Sequence, residues 1–231
     1  MEHPSTQTLQ IAIDGSGPVS ALLRRPDDAW AGYVFAHGAG AGMAHAFMAD
    51  FANGLAERGV ATLRYQFPYM ERGSKRPDAP TLAHAAVRSA VAEANARLAG
   101  LPLFAGGKSF GARMTSQAQA REPLPGVRAL VFVGFPLHPA GKPSDERAAH
   151  LADVHCPLLF LQGTRDELAA LEWLQPVLQR LGAWATLTLF DDADHAFHVR
   201  ARSGRTDAQT RDAMLDAMTG WLRVQAAPRL R

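Results

Sequence analysis

Cysteine and long apolar runs are nearly absent from this sequence. Its 231 residues include one cysteine, Cys156, which excludes an internal disulfide and favours a reducing compartment. The first residues, MEHPSTQTLQIAIDG, have no basic region followed by a long apolar core, so we expect neither a signal peptide nor a membrane span. We therefore expect a cytoplasmic protein.

A surplus of charge of one sign is also missing. The formal net charge is +2 and no basic stripe with interleaved aromatic residues occurs, so we expect no nucleic-acid partner. Apolar residues make up 47% of the chain and charged residues 20%, which is ordinary for a soluble globular protein. The chain is too short for two comfortable domains and shows no linker or repeat, so we predict a single domain over residues 1–231.

Short β-prone runs alternate with helical patterns along most of the chain. Strands are predicted at residues 9–13, 19–23, 32–36, 60–67, 101–105, 127–135, 157–162 and 186–190. The clearest helix is predicted over 81–99, where apolar residues keep a 3.6-residue period. After an opening antiparallel pair, this alternation predicts an α/β fold: a mostly parallel sheet with helices on both faces.

Four further segments complete this prediction. Residues 68–80 are predicted as a polar loop and 136–154 as an irregular stretch, whereas a helix is predicted from about 168 to 181. The last helix begins near Thr206, with Gln209 placed for a capping box. Its expected buried face consists of Met214, Leu215, Met218, Trp221 and Leu222.

The segment 101–111 reads LPLFAGGKSFG, an apolar run followed by glycines around a serine. Its Gly107-x-Ser109-x-Gly111 spacing, between a predicted strand and a predicted helix, is typical of a nucleophile elbow. In such a turn the serine backbone is strained, and a Cβ two residues to either side would collide with a neighbouring element. The turn places Ser109 at a helix N-terminus, which favours developing negative charge. An ordinary glycine-rich turn is the alternative interpretation.

A serine hydroxyl is a weak nucleophile at neutral pH, so it requires a general base, and that base requires an orienting acid. Asp166 and His195 each follow a predicted strand, as Ser109 does, and parallel strands end at one edge of the sheet. The order serine, aspartate, histidine is the one expected with this elbow. We therefore predict Asp166 as the acid and His195 as the base. The alternative acids are Asp145, Asp192 and Asp194.

An acyl-transfer site also needs two backbone N–H groups directed at the developing oxyanion. Phe110, the residue after the serine, is predicted to supply one of them. The loop 37–42, which reads HGAGAG and follows a buried strand, is predicted to supply the other, from Ala39 first and Gly40 next. The glycines of this loop lack the G-x-G-x-x-G register of a dinucleotide site. His37 is expected to support the loop.

Five motifs together resemble those of the α/β-hydrolase superfamily, and within it the dienelactone-hydrolase-like group. They are AHGAGAG at 36–42, GGKSFGAR at 106–113, GFPLHPAGKP at 134–143, LQGTRDE at 161–167 and DADHAF at 192–197. Within that group, the chain resembles the small hydrolase-like proteins related to testis-expressed protein 30 and KAT8 regulatory complex subunit 3. This resemblance implies an α/β-hydrolase fold and a Ser109–Asp166–His195 triad, but no substrate. Dienelactone hydrolases proper carry a cysteine in the elbow, so Ser109 argues against dienelactone as substrate.

We expect a serine hydrolase that cleaves a carboxylic ester, thioester or related acyl bond of a small-molecule substrate through an acyl-enzyme. The alternative is an interaction or scaffold protein that keeps the fold. No insertion is long enough for a lid domain. No cofactor is expected, and no metal, because the acidic and histidine residues at 191–198 match no standard ligand spacing.

Basic residues flank the predicted site. Arg72, Lys75 and Arg76 lie in the loop predicted at 68–80, which leaves the carboxyl end of a strand, and Lys108 precedes the serine. We hypothesise that they favour acyl groups that carry a carboxylate, because local charge concentrates substrates of opposite sign. The alternative is that these side chains point to water, with Glu71 and Asp78 offsetting part of their field.

Overall fold

A computed structural model describes residues 6–227 of the chain. This part of the chain forms eight strands: β1 (Thr6–Ile11), β2 (Val19–Arg24), β3 (Ala31–Ala36), β4 (Val60–Tyr65), β5 (Leu103–Lys108), β6 (Val127–Val133), β7 (Leu158–Gly163) and β8 (Ala185–Phe190). Its α-helices are α1 (Ala46–Ala56), α2 (Pro68–Glu71), α3 (Pro80–Arg97), α4 (Phe110–Arg121), α5 (Leu171–Leu181) and α6 (Asp207–Ala226).

The strands form one sheet in the order β1-β2-β4-β3-β5-β6-β7-β8. Strand β2 pairs antiparallel with both β1 and β4, and every pair from β4 to β8 is parallel. The prediction of a mostly parallel sheet after an opening antiparallel pair is therefore confirmed. Because parallel strands share their direction, the segments that follow β3, β5, β7 and β8 emerge at the same edge.

Helices cover both faces of the sheet, as predicted. One buried apolar cluster includes Val87 of α3, Met114 of α4 and Leu174 of α5. A second cluster, on the other face, includes Phe51 of α1 and Met218 of α6. Strands β3, β4 and β7 are buried along their whole length because both of their faces are covered.

Several boundaries differ from the prediction because tertiary contacts override the local pattern. The strand predicted at 60–67 ends at Tyr65, because the Phe67 N–H donates to the His37 side chain instead of continuing the ladder. The strand predicted at 127–135 ends at Val133, because Gly134 adopts a φ of 67°. The elbow strand is longer than predicted and reaches Lys108.

Three other predictions are corrected. The polar loop at 68–80 contains the short helix α2, with Pro68 in its first turn, where a missing N–H costs nothing. The irregular stretch at 136–154 ends in a 3₁₀ helix, Glu146–Asp153. Trp221 is only partly buried, because its indole reaches the exposed side of Thr186.

The helix α6 begins as predicted. Thr206 and Gln209 form the reciprocal hydrogen bonds of a capping box. Helix α5 begins at Leu171, later than predicted, and accommodates Pro176 in its interior. Among residues 6–227, no helix has the length and apolar character that crossing a membrane requires.

Candidate active site

The turn between β5 and α4 holds Ser109 in a conformation that non-glycine residues rarely adopt. Its φ is 51° and its ψ is −113°. A Cβ at Gly107 would lie 2.6 Å from the Ala36 carbonyl oxygen, and one at Gly111 would lie 2.5 Å from the same atom. Both glycines are therefore required by the close approach of β3, which is the steric reason predicted for the spacing.

The structure brings Ser109, His195 and Asp166 together in a chain of hydrogen bonds. The Ser109 Oγ lies 2.8 Å from Nε2 of His195, and Nδ1 of the same imidazole lies 2.7 Å from Oδ2 of Asp166. Asp166 is buried, whereas His195 is partly exposed. In this arrangement Nδ1 donates its proton to the carboxylate, so Nε2 presents a lone pair toward the serine hydroxyl.

The three alternative acids are engaged elsewhere. Asp145 pairs with Arg180 at 2.6 Å, and Asp192 forms an ion pair with Arg200. The carboxylate of Asp194 accepts hydrogen bonds from backbone N–H groups of its own turn, at 2.8 and 3.0 Å. Of the four carboxylates, Asp166 is the one that faces the imidazole of His195.

One residue of this site was missed by the sequence reasoning. The Gln162 side-chain amide donates to Oδ2 of Asp166 at 2.5 Å, and its Oε1 accepts from the Phe135 N–H at 3.0 Å. The Asp166 Oδ1 accepts from the Leu168 N–H at 2.8 Å. A glutamine at the end of an otherwise apolar strand, PLLFLQ, was the signal that could have identified Gln162.

The loop after β3 lies directly beside the elbow. A Cβ at Gly38 would lie 3.7 Å from the Ser109 Cβ. His37 supports this loop as expected, since its Nδ1 contacts the Gly38 carbonyl at 2.8 Å and its Nε2 accepts from the Phe67 N–H at 3.0 Å. Burial, partly offset by the Gly38 carbonyl, lowers the pKa of His37 from 6.5 to about 4.

The predicted N–H donors border the same space. Phe110 opens helix α4, and among residues 6–227 neither its N–H nor that of Ala39 has an acceptor. The Gly40 N–H likewise has no acceptor among these residues, and the phenol oxygen of the nearby Tyr69, whose pKa burial raises, has no hydrogen-bond partner there. Ala39 and Gly40 therefore both stay predictions for the second donor.

A comparison with known protein families decides where the chain belongs. Residues 30–223 match the model of a family described as an alpha/beta hydrolase domain. The chain belongs to this family. Membership supports a hydrolase, and the eight-stranded, mostly parallel sheet agrees with the fold that the sequence predicts.

Solved structures resemble this α/β hydrolase over nearly its whole length. A dienelactone hydrolase from Anabaena variabilis is 20% identical, with a TM-score of 0.79 over 98% of this chain and 100% of its own. A lidless α/β serine hydrolase from Xanthomonas campestris is 21% identical, with a TM-score of 0.74 over 97% of each chain. Est1E from Butyrivibrio proteoclasticus, solved with ferulic acid, is 16% identical, with a TM-score of 0.74 over 95% of this chain and 100% of its own.

Lys108 of this α/β hydrolase does not point to water. Its side chain is partly buried, and Nζ donates a hydrogen bond of 2.5 Å to the carbonyl oxygen of His195. Burial lowers the pKa of Lys108 from 10.5 to about 8, against the opposing influence of Asp166 and Asp194.

The basic residues of segment 68–80 are not all free to act on a substrate. Arg72 pairs with Asp78 at 2.6 Å, and Lys75 and Arg76 are exposed. Within the described residues, no group of three or more His, Cys, Asp and Glu side chains is arranged to hold a metal ion.

Proposed function

We propose that this α/β hydrolase is a serine hydrolase that cleaves a carboxylic ester, thioester or related acyl bond through an acyl-enzyme on Ser109. The observation that carries the proposal is the pair of short contacts on the His195 imidazole, 2.8 Å to the Ser109 hydroxyl and 2.7 Å to the Asp166 carboxylate. Without a base at that distance, the hydroxyl would remain a weak nucleophile.

In the proposed mechanism, Nε2 of His195 accepts the Ser109 proton as Oγ attacks the acyl carbon. Asp166 keeps the Nδ1 proton in place and stabilises the imidazolium that forms. The tetrahedral oxyanion is bound by the N–H groups of Phe110 and Ala39. The imidazolium then protonates the leaving group, and the acyl-enzyme is hydrolysed when His195 deprotonates a water molecule.

The proposed substrate is a small or flexible acyl compound. In residues 6–227 the carboxyl ends of the strands are followed by turns and by the helices that cover the sheet, with no inserted lid domain. We also propose the finer relationship to the small proteins related to testis-expressed protein 30, which rests on the five sequence motifs and names no substrate. A cytoplasmic location, supported by the single cysteine, is part of the same proposal.

Labelling with a fluorophosphonate tests the proposal, because this probe reacts with an activated serine. We expect wild-type protein to be labelled at Ser109, and Ser109→Ala to remain unlabelled. The chain offers a matched control in Ser116, whose Oγ lies 2.8 Å from Nε2 of His150 but which is fully buried and donates to the Arg113 carbonyl. Ser116→Ala should be labelled like wild type. Folded wild-type protein that is not labelled would favour the scaffold alternative.

A further inference from the structure

Lys108 connects the end of β5, next to Ser109, to the loop that contains His195. Its Cα lies at the end of β5, one residue before the serine, and its Nζ donates a hydrogen bond of 2.5 Å to the His195 carbonyl. The ammonium also lies 5.3 Å from the centre of the Phe197 ring and 5.9 Å from that of Phe47, distances that suit cation–π contacts.

Glycines leave room for this side chain on both sides. A Cβ at Gly38 would lie 3.7 Å from the Lys108 Cγ, so the stem of the lysine passes close to the loop after β3. A Cβ at Gly134 would lie 3.0 Å from Nζ and 3.5 Å from Nδ1 of His195. The ammonium and the imidazole therefore share the space that Gly134 leaves open.

The loop of His195 is held by contacts of several kinds. Its turn contains two non-glycine residues in the left-handed region, Asp192 with a φ of 60° and Phe197 with a φ of 64°. Local hydrogen bonds of Asp194 and an isolated bridge between Ala193 and Val199 hold the turn together. Two further bonds of 2.9 Å join the turn to the loop after β7, from the Arg165 N–H to the Ala193 carbonyl and from the Asp192 N–H to the Thr164 hydroxyl. None of these contacts joins the turn to β5, the strand next to Ser109, whereas the bond from Lys108 does.

We infer that Lys108 is a positioning residue for His195: by bonding its carbonyl, the ammonium fixes the imidazole at the distance from Ser109 that proton transfer requires. This inference rests on the proposed function. Lys108 makes no direct contact with the serine hydroxyl in this role, because it acts through the main chain of His195. Proton transfer is sensitive to small displacements, so looser positioning lowers kcat more than it raises KM.

The inferred role depends on the charge of the lysine. The charged groups that face the ammonium are the carboxylates of Asp166 and Asp194, which favour its protonated form, whereas burial disfavours it and brings the pKa to about 8. Above that pH the neutral amine is a weaker donor and loses its attraction to the two aromatic rings. We therefore expect kcat to fall as the pH rises through about 8.

The experiment compares Lys108→Met with Lys142→Met, a change at an exposed lysine, by measuring kcat and KM for a small neutral ester from pH 6 to pH 10. We expect Lys108→Met to lose ~10- to 100-fold in kcat near pH 7, the effect of one charge-assisted hydrogen bond, and to lack the alkaline fall. Lys142→Met should match wild type. Unchanged kcat and an unchanged alkaline fall in Lys108→Met would overturn the inference.

A second variant separates positioning from a loss of folding. Lys108→Cys alkylated with bromoethylamine regains an ammonium of lower intrinsic pKa, so its kcat should recover and its alkaline fall should move to lower pH. Wild-type protein treated with bromoethylamine in the same way controls for alkylation of the buried Cys156. A recovered variant whose alkaline fall stays at the wild-type pH would contradict the role of the charge.

A measurement without turnover separates this inference from the proposed function. The proton between Nδ1 of His195 and Asp166 should give a downfield NMR resonance in wild type that exchanges faster with water in Lys108→Met. Failure of fluorophosphonate labelling in wild type would count against the proposed function alone. An identical resonance in Lys108→Met, with wild type labelled, would count against the positioning role alone.

Discussion

The Gln162 side-chain amide donates a hydrogen bond of 2.5 Å to Oδ2 of Asp166, the same oxygen that faces His195 at 2.7 Å. Gln162 is fully buried in β7, and its Oε1 is occupied by the Phe135 N–H at 3.0 Å. Because Oε1 accepts that N–H, the amide can present only its NH₂ group to the carboxylate. The orientation of the Asp166 carboxylate is therefore fixed by Gln162, a buried residue of the sheet.

This geometry makes Asp166→Asn a sharp test of the orienting role. An asparagine oxygen at the Oδ2 position would accept from Gln162 and leave its NH₂ group facing the Leu168 N–H, whereas an oxygen at the Oδ1 position would turn the NH₂ group toward Gln162 and Nδ1 of His195. In the second orientation the imidazole would hold its proton on Nε2, where it cannot accept the Ser109 proton. In both orientations the neutral side chain no longer stabilises the imidazolium. We expect kcat to fall by roughly 10⁴-fold, as in other serine triads.

Asp192→Asn is the matched control for this change, because Asp192 pairs with Arg200 and Arg165 instead of His195. It should keep kcat within a few-fold of wild type, measured with the same ester at the same pH. An Asp166→Asn variant as active as the control would show that another carboxylate orients the histidine.

Two glycines in helices should respond in opposite ways to the same substitution. Gly111 of α4 has no space for a Cβ, which would lie 2.5 Å from the Ala36 carbonyl oxygen, whereas a Cβ at Gly220 of α6 meets nothing within 4 Å. Gly111→Ala should lower the free energy of unfolding by ~1–3 kcal/mol or more, through overpacking against a buried strand. Gly220→Ala should raise it by ~1 kcal/mol, because alanine is the better helix former.

Urea denaturation of both variants measures these changes. A Gly111→Ala variant as stable as wild type would mean that the elbow can move away from β3, and the steric explanation of the Gly107-x-Ser109-x-Gly111 spacing would fail. If Gly220→Ala were also less stable than wild type, helix propensity would not determine the effect of that substitution on the free energy of unfolding.

The elbow and the three residues of the proposed triad were predictable because their constraints are local or topological. The glycines around Ser109 are demanded by the turn itself, and the ends of parallel strands bring Asp166 and His195 to the same edge. The family resemblance added to that pattern, since it implied the same three residues.

The remaining features depend on contacts between residues distant in the sequence. The bond from Lys108 to His195 spans 87 residues, and no local pattern reports it. Helix α2 forms in a segment predicted as a loop because the Asp78 carboxylate accepts the Tyr69 N–H at 2.7 Å and pairs with Arg72. The early end of β4 likewise follows from the bond between Phe67 and His37.

Three buried or partly buried histidines, His37, His84 and His150, should make the protein less stable in mild acid. Burial is the main cause that lowers the pKa of His37 and of His150 to about 4, and it also lowers the pKa of His84. Because these values lie below the 6.5 of an unfolded histidine, the stabilisation is complete above pH 6.5 and is lost as the pH falls toward 4. His37 and His150 each contribute up to ~1.4 kcal/mol per pH unit in that window, and His84 contributes in the same direction.

His150→Gln isolates one of these contributions outside the proposed site. Its free energy of unfolding, measured by urea denaturation between pH 6.5 and pH 5, should fall less steeply than that of wild type, by up to ~1.4 kcal/mol per pH unit. Wild-type protein measured in parallel gives the reference slope. A His150→Gln slope equal to that of wild type would mean that protonation of His150 does not destabilise the fold.

The cations of segment 68–80 are poorly placed to select anionic substrates. Arg72 is occupied by Asp78, whose side chain is only 4% exposed, and the Glu71 carboxylate is held by Ser20 through bonds of 3.0 and 2.8 Å. Arg72→Ala would leave Asp78 buried without its ion-pair partner and would therefore destabilise the fold. A change in kcat/KM in that variant could then not be assigned to the electrostatic attraction of substrate. Arg76, which is exposed, gives the cleaner variant.

We therefore predict that an ester with a carboxylate on its acyl group and a matched neutral ester respond equally to salt. Exposed charges such as Lys75 and Arg76 are screened within about 10 Å at roughly 0.1 M ionic strength, so a steering effect would appear as a loss of kcat/KM for the anionic ester alone. Arg76→Ala should leave both values unchanged at low salt. If the anionic ester alone lost kcat/KM as salt rose, and Arg76→Ala abolished that difference, the cations of this segment would contribute to substrate choice despite the ion pair of Arg72.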